Sequence, residues 1–502
     1  MRKGIALGLA LLLGLACCFG AAAETTQKAP DFVLEGLDGG SSNHNWETNL
    51  FFARMQERTG ISFQFRQYTE DSQWAERKKA LLAGEDLPDV LFKAGLTASE
   101  TRDLYAAGVL LDLRPYLEAQ APDLWALLQA HPDWMDAITL PDGAIPALPA
   151  LNELANANLM WINTEWLGRL KLEKPTTAEE LTEVLRRFKA EDPNRNGRAD
   201  EIPLGFSSMW DLRFLAHAFG ILDNDYYLSV RDGQVMSSLT SEGNRQFLTW
   251  LHQLWTEGLL DQNGFTTNDS LRQITDEKQA VPYGVLLTPN PLLLMPAASI
   301  GQYETLLPLT FEGRQEYRDL LGCVVRGTFG ITRACAEPEK LVAWVNTLYT
   351  EEGSRLAQSG LEGEDYFWNE DGYWEWNADL TTVANQILPE STIAEGGTAP
   401  GWTGAEFQLK YAEEDTRRSI EMLHEYRQYL RLPYPMVTLS VEDEARAAEL
   451  QAGLMSYAEP AMAAFVTGDT ELNDESWDAF VREVEERHLQ EQIDLWQKYI
   501  RP

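Results

Sequence analysis

Short apolar runs alternate with amphipathic helical stretches in the first third of the chain, and this alternation restricts the fold more than any other feature. Residues 61–68 alternate in the manner of a strand, residues 74–83 have helical spacing, and Val90–Phe92 is a short apolar strand. A strand–helix–strand order is typical of parallel strands covered by helices. The sequence therefore predicts an α/β fold with a parallel sheet.

The rest of the chain predicts domains built from discontinuous segments. Residues 144–163 and 303–309 are predicted to be extended stretches that cross between two lobes, and amphipathic helices dominate from residue 405 onwards. There are no internal repeats, low-complexity tracts or long Gly/Ser linkers. We expect one lobe from residues 24–150 plus about 300–345, and a second from residues 151–299 plus about 346–502.

The N-terminus has the features of a secretory signal over residues 1–23. Arg2 and Lys3 precede an apolar run at 5–16, and three alanines at 21–23 supply a small-residue cleavage site. The apolar run is too short for a permanent membrane anchor. Cys17 and Cys18 leave open a lipidated cysteine that would tether the protein to the outer face of the cytoplasmic membrane. In both cases the mature protein is expected to be extracellular.

The chain is strongly acidic, with 78 Asp and Glu against 41 Lys and Arg and a formal net charge of -37. Such a balance argues against nucleic-acid binding and against attachment to anionic membranes through bulk charge. Only Cys323 and Cys335 follow the signal. The sequence leaves open whether they form a disulfide or remain buried thiols.

A short loop carries oxygen-bearing side chains at alternate positions before Gly197, in the manner of a calcium-binding loop. Gly197 stands at the sixth position, where such a loop bends sharply. The twelfth position is Pro203, so the loop is not a standard EF-hand. The sequence predicts structural calcium, with an Asx/Gly turn without metal as the alternative. Three carboxylates, two amides and one backbone carbonyl supply six oxygen donors: Asp192, Asn194, Asn196, Arg198 through its carbonyl, Asp200 and Glu201.

The chain lacks the local motifs of the common enzyme classes. It has no nucleophile elbow, P-loop, dinucleotide-binding fingerprint or metalloprotease helix, and its six histidines are dispersed. A pair of glycosidase-type carboxylates has no specificity in a chain with 78 acidic residues. The missing motifs therefore leave a glycosidase open, because a chain this rich in carboxylates always offers pairs of them.

Several tryptophans stand in polar, loop-like stretches. Trp46 follows a Ser-Asn-His-Asn run, Trp210 closely follows Ser207 and Ser208, and Trp402 follows a Pro-Gly pair. An aromatic ring beside hydroxyls and amides suits a sugar, whose C–H face packs on the ring while its hydroxyls meet the polar neighbours. For each of these rings, packing inside the protein is an equally good alternative.

Short motifs spread over nearly the whole mature chain resemble the extracellular solute-binding proteins of family 1, the substrate receptors of carbohydrate ABC importers. The calcium-type loop resembles the branch of that family that binds oligosaccharides or alginate. The matching stretches are GEDLPDV at 84–90, AGVLLDL at 107–113, WINTEWL at 161–167, YTEEGS at 349–354, EG at 362–363 with Tyr366 and the DG at 371–372, and FVTG at 465–468 with Trp477.

The resemblance implies a two-lobed fold like that of periplasmic binding proteins, with hinge strands, a helical C-terminal region and the ligand in the cleft. Closure of the lobes on the ligand is what the transporter detects in such a system. The resemblance also places calcium on the loop donors named above. By motif position, the residues expected to contact ligand are Asn43, Trp46, Lys93, Thr97, Ser207, Ser208, Trp210, Tyr283 and Trp402.

The expected function is capture of a sugar or oligosaccharide for delivery to ABC transporter permease subunits. A monomer is expected, with no nucleic acid bound and with membrane contact only through an N-terminal lipid. The alternatives are a secreted calcium-dependent glycan-active enzyme and a glycan-binding adhesin. The sequence does not name the sugar; Lys93 permits an anionic one, although a surface lysine is the commoner role.

Overall fold

The computed structural model describes residues 30–39, 42–154, 157–265, 280–289, 291, 294–295, 297–395 and 398–500, so the predicted signal with Cys17 and Cys18 lies outside the described residues. The strands in these ranges are β1 Phe32–Leu37, β2 Phe63–Tyr68, β3 Val90–Phe92, β4 Ala147–Asn152, β5 Leu159–Asn163, β6 Ile202–Gly205, β7 Leu228–Arg231, β8 Gln234–Ser237, β9 Tyr283–Thr288, β10 Tyr303–Thr305, β11 Tyr317–Arg318, β12 Val324–Ile331, β13 Tyr366–Trp368, β14 Trp374–Trp376, β15 Gly401–Thr403 and β16 Leu430–Arg431.

The α-helices in the same ranges are α1 Leu50–Thr59, α2 Asp71–Leu82, α3 Ala98–Ala106, α4 Arg114–Gln120, α5 Pro122–Ala130, α6 Pro132–Ile138, α7 Thr164–Leu170, α8 Ala178–Ala190, α9 Met209–Leu212, α10 Glu242–Thr256, α11 Pro338–Asn346, α12 Glu351–Ser359, α13 Leu380–Thr382, α14 Leu388–Ser391, α15 Ala405–Gln408, α16 Glu414–Tyr426, α17 Val441–Thr467, α18 Asp474–Glu486 and α19 Leu489–Gln497. No helix of the described chain is long and apolar enough to cross a membrane.

The first lobe is built on a sheet of six described strands in the order β15-β4-β12-β3-β1-β2. β1 pairs in parallel with both β2 and β3, and α1 and α2 are the intervening helices. β12 is distant in sequence from the other strands of this sheet core, and it pairs antiparallel with β3 and β4. The predicted strand–helix–strand unit is therefore confirmed, and it forms one edge of a mixed sheet.

The second lobe is built on a sheet of four described strands in the order β10-β5-β9-β6. β6 is parallel to β9, whereas β5 is antiparallel to β9 and β10. Its core combines Phe188 of α8, Leu251 of α10, Phe465 of α17 and Phe480 of α18. The C-terminal helices thus complete this core, and the predicted α/β architecture with two lobes is confirmed.

The segments that cross between the lobes are tied together by a short strand pair. β11 pairs in parallel with β16 through Tyr317 with Leu430 and Arg318 with Arg431. The buried hydroxyl of Tyr317 donates to the carbonyl of Asn158 over 2.8 Å. The crossings are thereby held in register with each other and with the second lobe.

The observed division of the chain differs from the predicted boundaries near residues 300 and 346. β10 belongs to the second sheet, although residues 300–345 were expected in the first lobe. Conversely, Leu356 of α12 and Ile393 lie in the first core, and β15 pairs with β4. The second difference arises because β15 forms the edge strand of the first sheet by pairing with β4. Local periodicity does not reveal a pairing over so long a distance in sequence.

The two cysteines after the signal are free thiols in the structure. Burial raises the pKa of Cys323 to about 12 and that of Cys335 to about 11. Both thiols therefore stay protonated at neutral pH. Of the two alternatives left open by the sequence, the structure has the unbonded thiols and not the disulfide.

His217 joins the second lobe to the crossing segment through a neutral imidazole. It is 3 % exposed and lies in the 3₁₀ helix Arg213–Phe219. Its Nδ1 donates to the carbonyl of Phe214 over 2.7 Å, and its Nε2 accepts the backbone N–H of Leu309 over 2.8 Å. Burial lowers the pKa of His217 from 6.5 to about 4.

Acid is expected to destabilise the protein through His217. Below about pH 6.5 the unfolded chain binds a proton that the folded chain refuses until about pH 4, so the free energy of unfolding falls by up to about 3 kcal/mol across that window. Urea unfolding between about pH 7 and pH 4.5 measures this fall. His217→Gln should be less stable at neutral pH and show a flatter pH profile.

The exposed His424 offers a matched control, and His424→Gln should keep the wild-type profile. Equal pH slopes for wild type and His217→Gln would contradict the assignment of a buried neutral imidazole.

Candidate functional site

A cavity of about 310 Å³ opens between the two lobes. Its walls come from α3 and β12 of the first lobe, and from the segment before β7, α17 and α19 of the second. Residues 432–439 complete the lining and pack against both lobes. A cleft of this size with aromatic, polar and charged walls is a typical place for a small ligand. The polar and charged residues of the lining include Ser99, Arg102, Asp225, Tyr226, Arg326 and Glu444.

Trp210 adjoins this cavity through Asp225 and keeps 41 % of its surface exposed. Its Nε1 donates to Oδ1 of Asp225 over 2.8 Å, and Nη2 of Arg318 lies 2.7 Å from the same oxygen. The ring of Phe214 packs edge-on against the indole, with 4.9 Å between centroids. The indole is therefore held by its N–H and by one neighbour while part of the ring stays accessible.

Arg318 lies on the buried side of Asp225 and Trp210. It is 1 % exposed, and Arg213 and Asp223 lie behind it, with Arg213 Nη2 2.9 Å and Arg318 Nε 3.9 Å from Oδ1 of Asp223. Burial, followed by the charge of Arg213, lowers the pKa of Arg318 to about 10. Arg318 is therefore a cation at neutral pH, and it needs Asp225 beside it.

A bulge in β12 brings Arg326 to the cavity. The pairing of β12 with β4 shifts register between Val325 and Phe329. Gly327 has a φ of 68°, and a Cβ there would lie 2.1 Å from the carbonyl oxygen of Leu96, so only glycine fits. Bulges of this kind redirect a side chain away from the regular pleat, and here that side chain is Arg326.

The lobes also contact each other directly at the cavity. Nη1 of Arg102, on α3, donates to the carbonyl of Leu439 and to Oε2 of Glu444, each over 2.8 Å. Arg102 belongs to the first lobe, whereas Leu439 and α17 belong to the second. This contact exists only while the lobes are together.

Trp402 lines a second groove of about 180 Å³ between β4, β12, α12 and β15. It pairs with Leu151 across the sheet edge, and its carbonyl accepts the hydroxyl of Ser354. The indole Nε1 is buried without an acceptor among the described residues.

Both hollows are lined in part by the segment 319–326. Leu320 and Arg326 line the first cavity, and Gly322 and Val325 line the second groove. The two hollows share no lining residue, so the structure gives two separate concavities beside one segment of the chain.

Three residues predicted to contact ligand are buried inside the lobes, and those predictions are wrong for this structure. Trp46 is 1 % exposed and packs edge-on against Phe92. Tyr283 is 1 % exposed within β9, in the core of the second lobe. Lys93 is also 1 % exposed.

The polar groups around Trp46 and Lys93 pair mainly with one another, although Nε2 of His44 is buried without a hydrogen-bond partner among the described residues. Nζ of Lys93 lies 2.9 Å from Oδ1 of Asp38, and Oδ2 of Asp38 accepts Nδ1 of His44 over 2.8 Å and Nε1 of Trp46 over 2.9 Å. Burial by itself would raise the pKa of Asp38, but the bond from His44 and the charge of Lys93 lower it to about 2. A surface lysine available to an anionic sugar is therefore not found at position 93.

The other predicted contact residues lie on caps and turns. Asn43 is exposed on a turn with a φ of 55°. Thr97 caps α3, directly before Ala98 and Ser99 at the first cavity. Ser207 donates to Asp211, and Ser208 caps α9 ahead of Trp210. Of the nine predicted residues, Trp402 lines a described cavity and Trp210 adjoins one.

Sequence reasoning missed Arg102, Asp225 and Arg326. For Arg326 a signal exists, since it is a lone cation in the apolar run Val-Val-Arg-Gly-Thr-Phe-Gly-Ile. Arg102 and Asp225 carry no local signal, because their roles depend on partners far away in the chain.

The predicted calcium loop joins α8 to β6 and is closed by its own side chains. Both carboxylate oxygens of Asp192 accept backbone N–H groups, from Asn196 over 3.1 Å and from Gly197 over 2.9 Å. The amides of Asn194 and Asn196 donate to Oδ1 of Asp200 over 3.2 and 2.8 Å. The oxygen-bearing side chains therefore face one another.

The loop's donor set fits a cation. Oε1 of Glu201 is buried without a hydrogen-bond partner among the described residues. Burial raises the pKa of Glu201, and the charges of Asp192 and Asp200 raise it further. A bound cation would relieve both effects. Within the described ranges no three His, Cys, Asp or Glu come close enough to hold a metal by themselves, so the amides and the Arg198 carbonyl would have to contribute.

Comparison with known proteins gives whole-chain matches. FusA, the fructooligosaccharide ABC transporter substrate-binding protein of Streptococcus pneumoniae serotype 4 (strain ATCC BAA-334 / TIGR4), is 26 % identical, covering 99 % of this chain and 97 % of its own. The structure of the HMO-binding ABC-transporter-associated solute-binding protein of Bifidobacterium longum infantis ATCC 15697 superposes with a TM-score of 0.76 at 22 % identity, covering 94 % of this chain and 98 % of its own.

A second solved structure, the EF-hand mutant of S. pneumoniae FusA in complex with fructo-nystose, superposes with a TM-score of 0.66 at 24 % identity, covering 93 % and 98 % of the two chains. Likeness at this identity shows the two-lobed fold. Residues 41–354 match the family of bacterial extracellular solute-binding proteins, and that match spans more than half of the chain. The predicted family resemblance is thereby confirmed, and the chain belongs to the bacterial extracellular solute-binding protein family.

Proposed function

We propose that this protein is the extracellular receptor of an ABC importer and that it captures an oligosaccharide in the cleft between its lobes. The observation that carries the proposal is the cavity walled by both lobes, with the partly exposed Trp210 held beside it. The names of the relatives support the class of ligand, since FusA is a fructooligosaccharide-binding component of an ABC transporter.

The cleft suits an oligosaccharide in both shape and chemistry. Trp210 beside the cavity offers an aromatic face, and the charged groups of the cavity offer hydrogen bonds to hydroxyls. The cavity between the lobes has a volume of about 310 Å³, which gives room for part of an oligosaccharide. A family of solute-binding proteins favours this role over the alternative of a glycan-active enzyme.

Calcium is assigned a structural role in the proposal. The donors would be Asp192, Asn194, Asn196, Asp200, Glu201 and the carbonyl of Arg198, and the name of the FusA EF-hand mutant supports such a loop in a relative. The cation would supply charge neutralisation between α8 and β6. β6 leads directly to Ser207, Ser208 and Trp210, so the loop braces the cleft without touching the ligand.

Delivery to permease subunits and tethering through Cys17 or Cys18 complete the proposal. The lobes would part to admit the sugar and close on it, and the closed form would be the state that the transporter engages. A thermal-shift screen of neutral and acidic oligosaccharides tests the binding function directly. Turnover of a labelled oligosaccharide into product would instead favour the enzyme.

Removing the accessible indole should weaken sugar binding. Trp210→Ala should reduce the affinity for the oligosaccharide found in that screen about tenfold, equivalent to ~1.5 kcal/mol, because a stacking face is lost. Trp210→Phe keeps a ring but loses the bond to Asp225, and should fall in between. Calorimetry measures both.

Phe367 is a matched control, since it is 39 % exposed and lines neither of the two hollows. Phe367→Ala should bind as the wild type does. Unchanged affinity in Trp210→Ala would remove Trp210 from the site.

Breaking the contact between the lobes should weaken binding by destabilising the closed form. Arg102→Ala loses two bonds that need the closed lobes, at a cost of about 1 kcal/mol, so affinity should fall about fivefold. A double-mutant cycle with Glu444→Gln should show non-additive effects on affinity. Small-angle scattering should show a more open ligand-bound form.

Lys79→Ala provides the comparison, because Lys79 and Glu76 form an exposed ion pair within α2. Loss of affinity equal to that of Arg102→Ala would argue for a general charge effect.

Chelation should lower the stability of the protein. A cation at about 100 times its dissociation constant contributes ~2.7 kcal/mol, so excess chelator should lower the melting temperature of a chain of this length by about 3 °C. Asp200→Asn should abolish most of this response, and Asp232→Asn, at an exposed turn of the same lobe, should retain it. An unchanged melting temperature, with no metal found by elemental analysis, would make the loop an ordinary turn.

A further inference from the structure

Arg326 is a charged group in the cleft without a protein partner. It lines the cavity between the lobes, and no described residue forms an ion pair or hydrogen bond with its guanidinium. Nη1 is buried, and the side chain as a whole is half-buried. Burial lowers the pKa of Arg326, and no neighbouring carboxylate opposes that effect.

The position of Arg326 is built into the backbone. Leu96 donates its N–H to the carbonyl of Gly327 over 3.0 Å, and Ala94 donates to the carbonyl of Thr328 over 3.2 Å. These bonds, together with the positive φ of Gly327, hold the bulge from the loop before α3. The protein therefore presents a buried cation to the cleft by an arrangement of the chain that does not depend on the cation's own contacts.

The carboxylates of the cavity are already engaged. Asp225 accepts bonds from Arg318 and Trp210, and Glu444 accepts one from Arg102. Asp319 accepts the backbone N–H of Leu321 over 2.8 Å. Arg326 is thus the one cation of the described cavity lining that lacks an anion.

A half-buried guanidinium without an anion is costly, and a ligand carboxylate removes that cost. The planar fork of arginine matches the two oxygens of a carboxylate, which binds it more strongly than neutral hydroxyls do. The formal net charge of -37 opposes long-range attraction of an anion, so a preference for an acidic group requires a local cation.

We propose that Arg326 binds a carboxylate of the ligand and that the protein captures an acidic oligosaccharide, one with a uronic or sialic acid unit. This inference rests on the proposed function, since it names the class of sugar held in the same cleft. The acidic unit lies against the first-lobe wall, and the neighbouring units extend towards Trp210.

The test compares acidic sugars with neutral counterparts by calorimetry. The probes are trigalacturonic acid against its methyl ester and sialyllactose against lactose, with kestose as an unrelated neutral sugar. Wild type should bind the acidic member of at least one pair about tenfold or more tightly than its counterpart. Arg326→Gln should lose that preference, and Arg326→Lys should retain part of it.

Two further measurements separate ligand binding from a structural role. The melting temperature of ligand-free Arg326→Gln should equal or exceed that of wild type, because an unpaired cation is removed. Arg231→Gln, at an exposed arginine on β7, should keep the wild-type preference. A large drop in melting temperature for Arg326→Gln would show that the guanidinium serves the fold and would overturn the proposal.

The outcomes distinguish this inference from the proposed function. Equal affinity for both members of each pair, or binding of kestose alone, would overturn the acidic ligand and leave an oligosaccharide receptor. Failure of every sugar to bind would overturn both. Retention of the acidic preference in Arg326→Gln would overturn the role of this residue.

Discussion

The cleft depends on the buried charge of Arg318. This residue lies in a strand that crosses between the lobes, and its guanidinium is tolerated there because Asp223 and Asp225 stand beside it. Asp225 in turn fixes the indole of Trp210. The hinge, the charge network and the aromatic face are therefore one unit, and a displacement of the crossing strand is transmitted directly to the wall that meets the ligand.

The two-lobed α/β architecture could be predicted because its signals are local or motif-based. The strand–helix–strand pattern at the N-terminus gave the parallel pairs β1–β2 and β1–β3. The lobe boundaries were less accessible, since β10 and β15 joined the sheets through long-range pairing. Strands of three residues are too short for their alternation pattern to indicate which sheet they will join.

The site was harder to predict than the fold because polar residues at strand ends can either bind a ligand or pair with one another. Asp38 and Lys93 follow β1 and β3 at the same sheet edge, as ligand-binding residues often do, yet they neutralise each other. Asp225 and Arg318 also pair, but they leave an aromatic face accessible. Local sequence cannot distinguish these cases, because the partner that decides between them lies far along the chain.

The bulge in β12 separates the shape of the cleft from its chemistry. Gly327 and its contacts with Leu96 determine the path of the backbone, whereas the side chain at 326 makes no bond with the described protein. That side chain can therefore vary while the scaffold remains intact. Position 326 is accordingly a point at which related receptors could diverge in ligand preference, and at which a receptor for another solute could be engineered without redesigning the lobe.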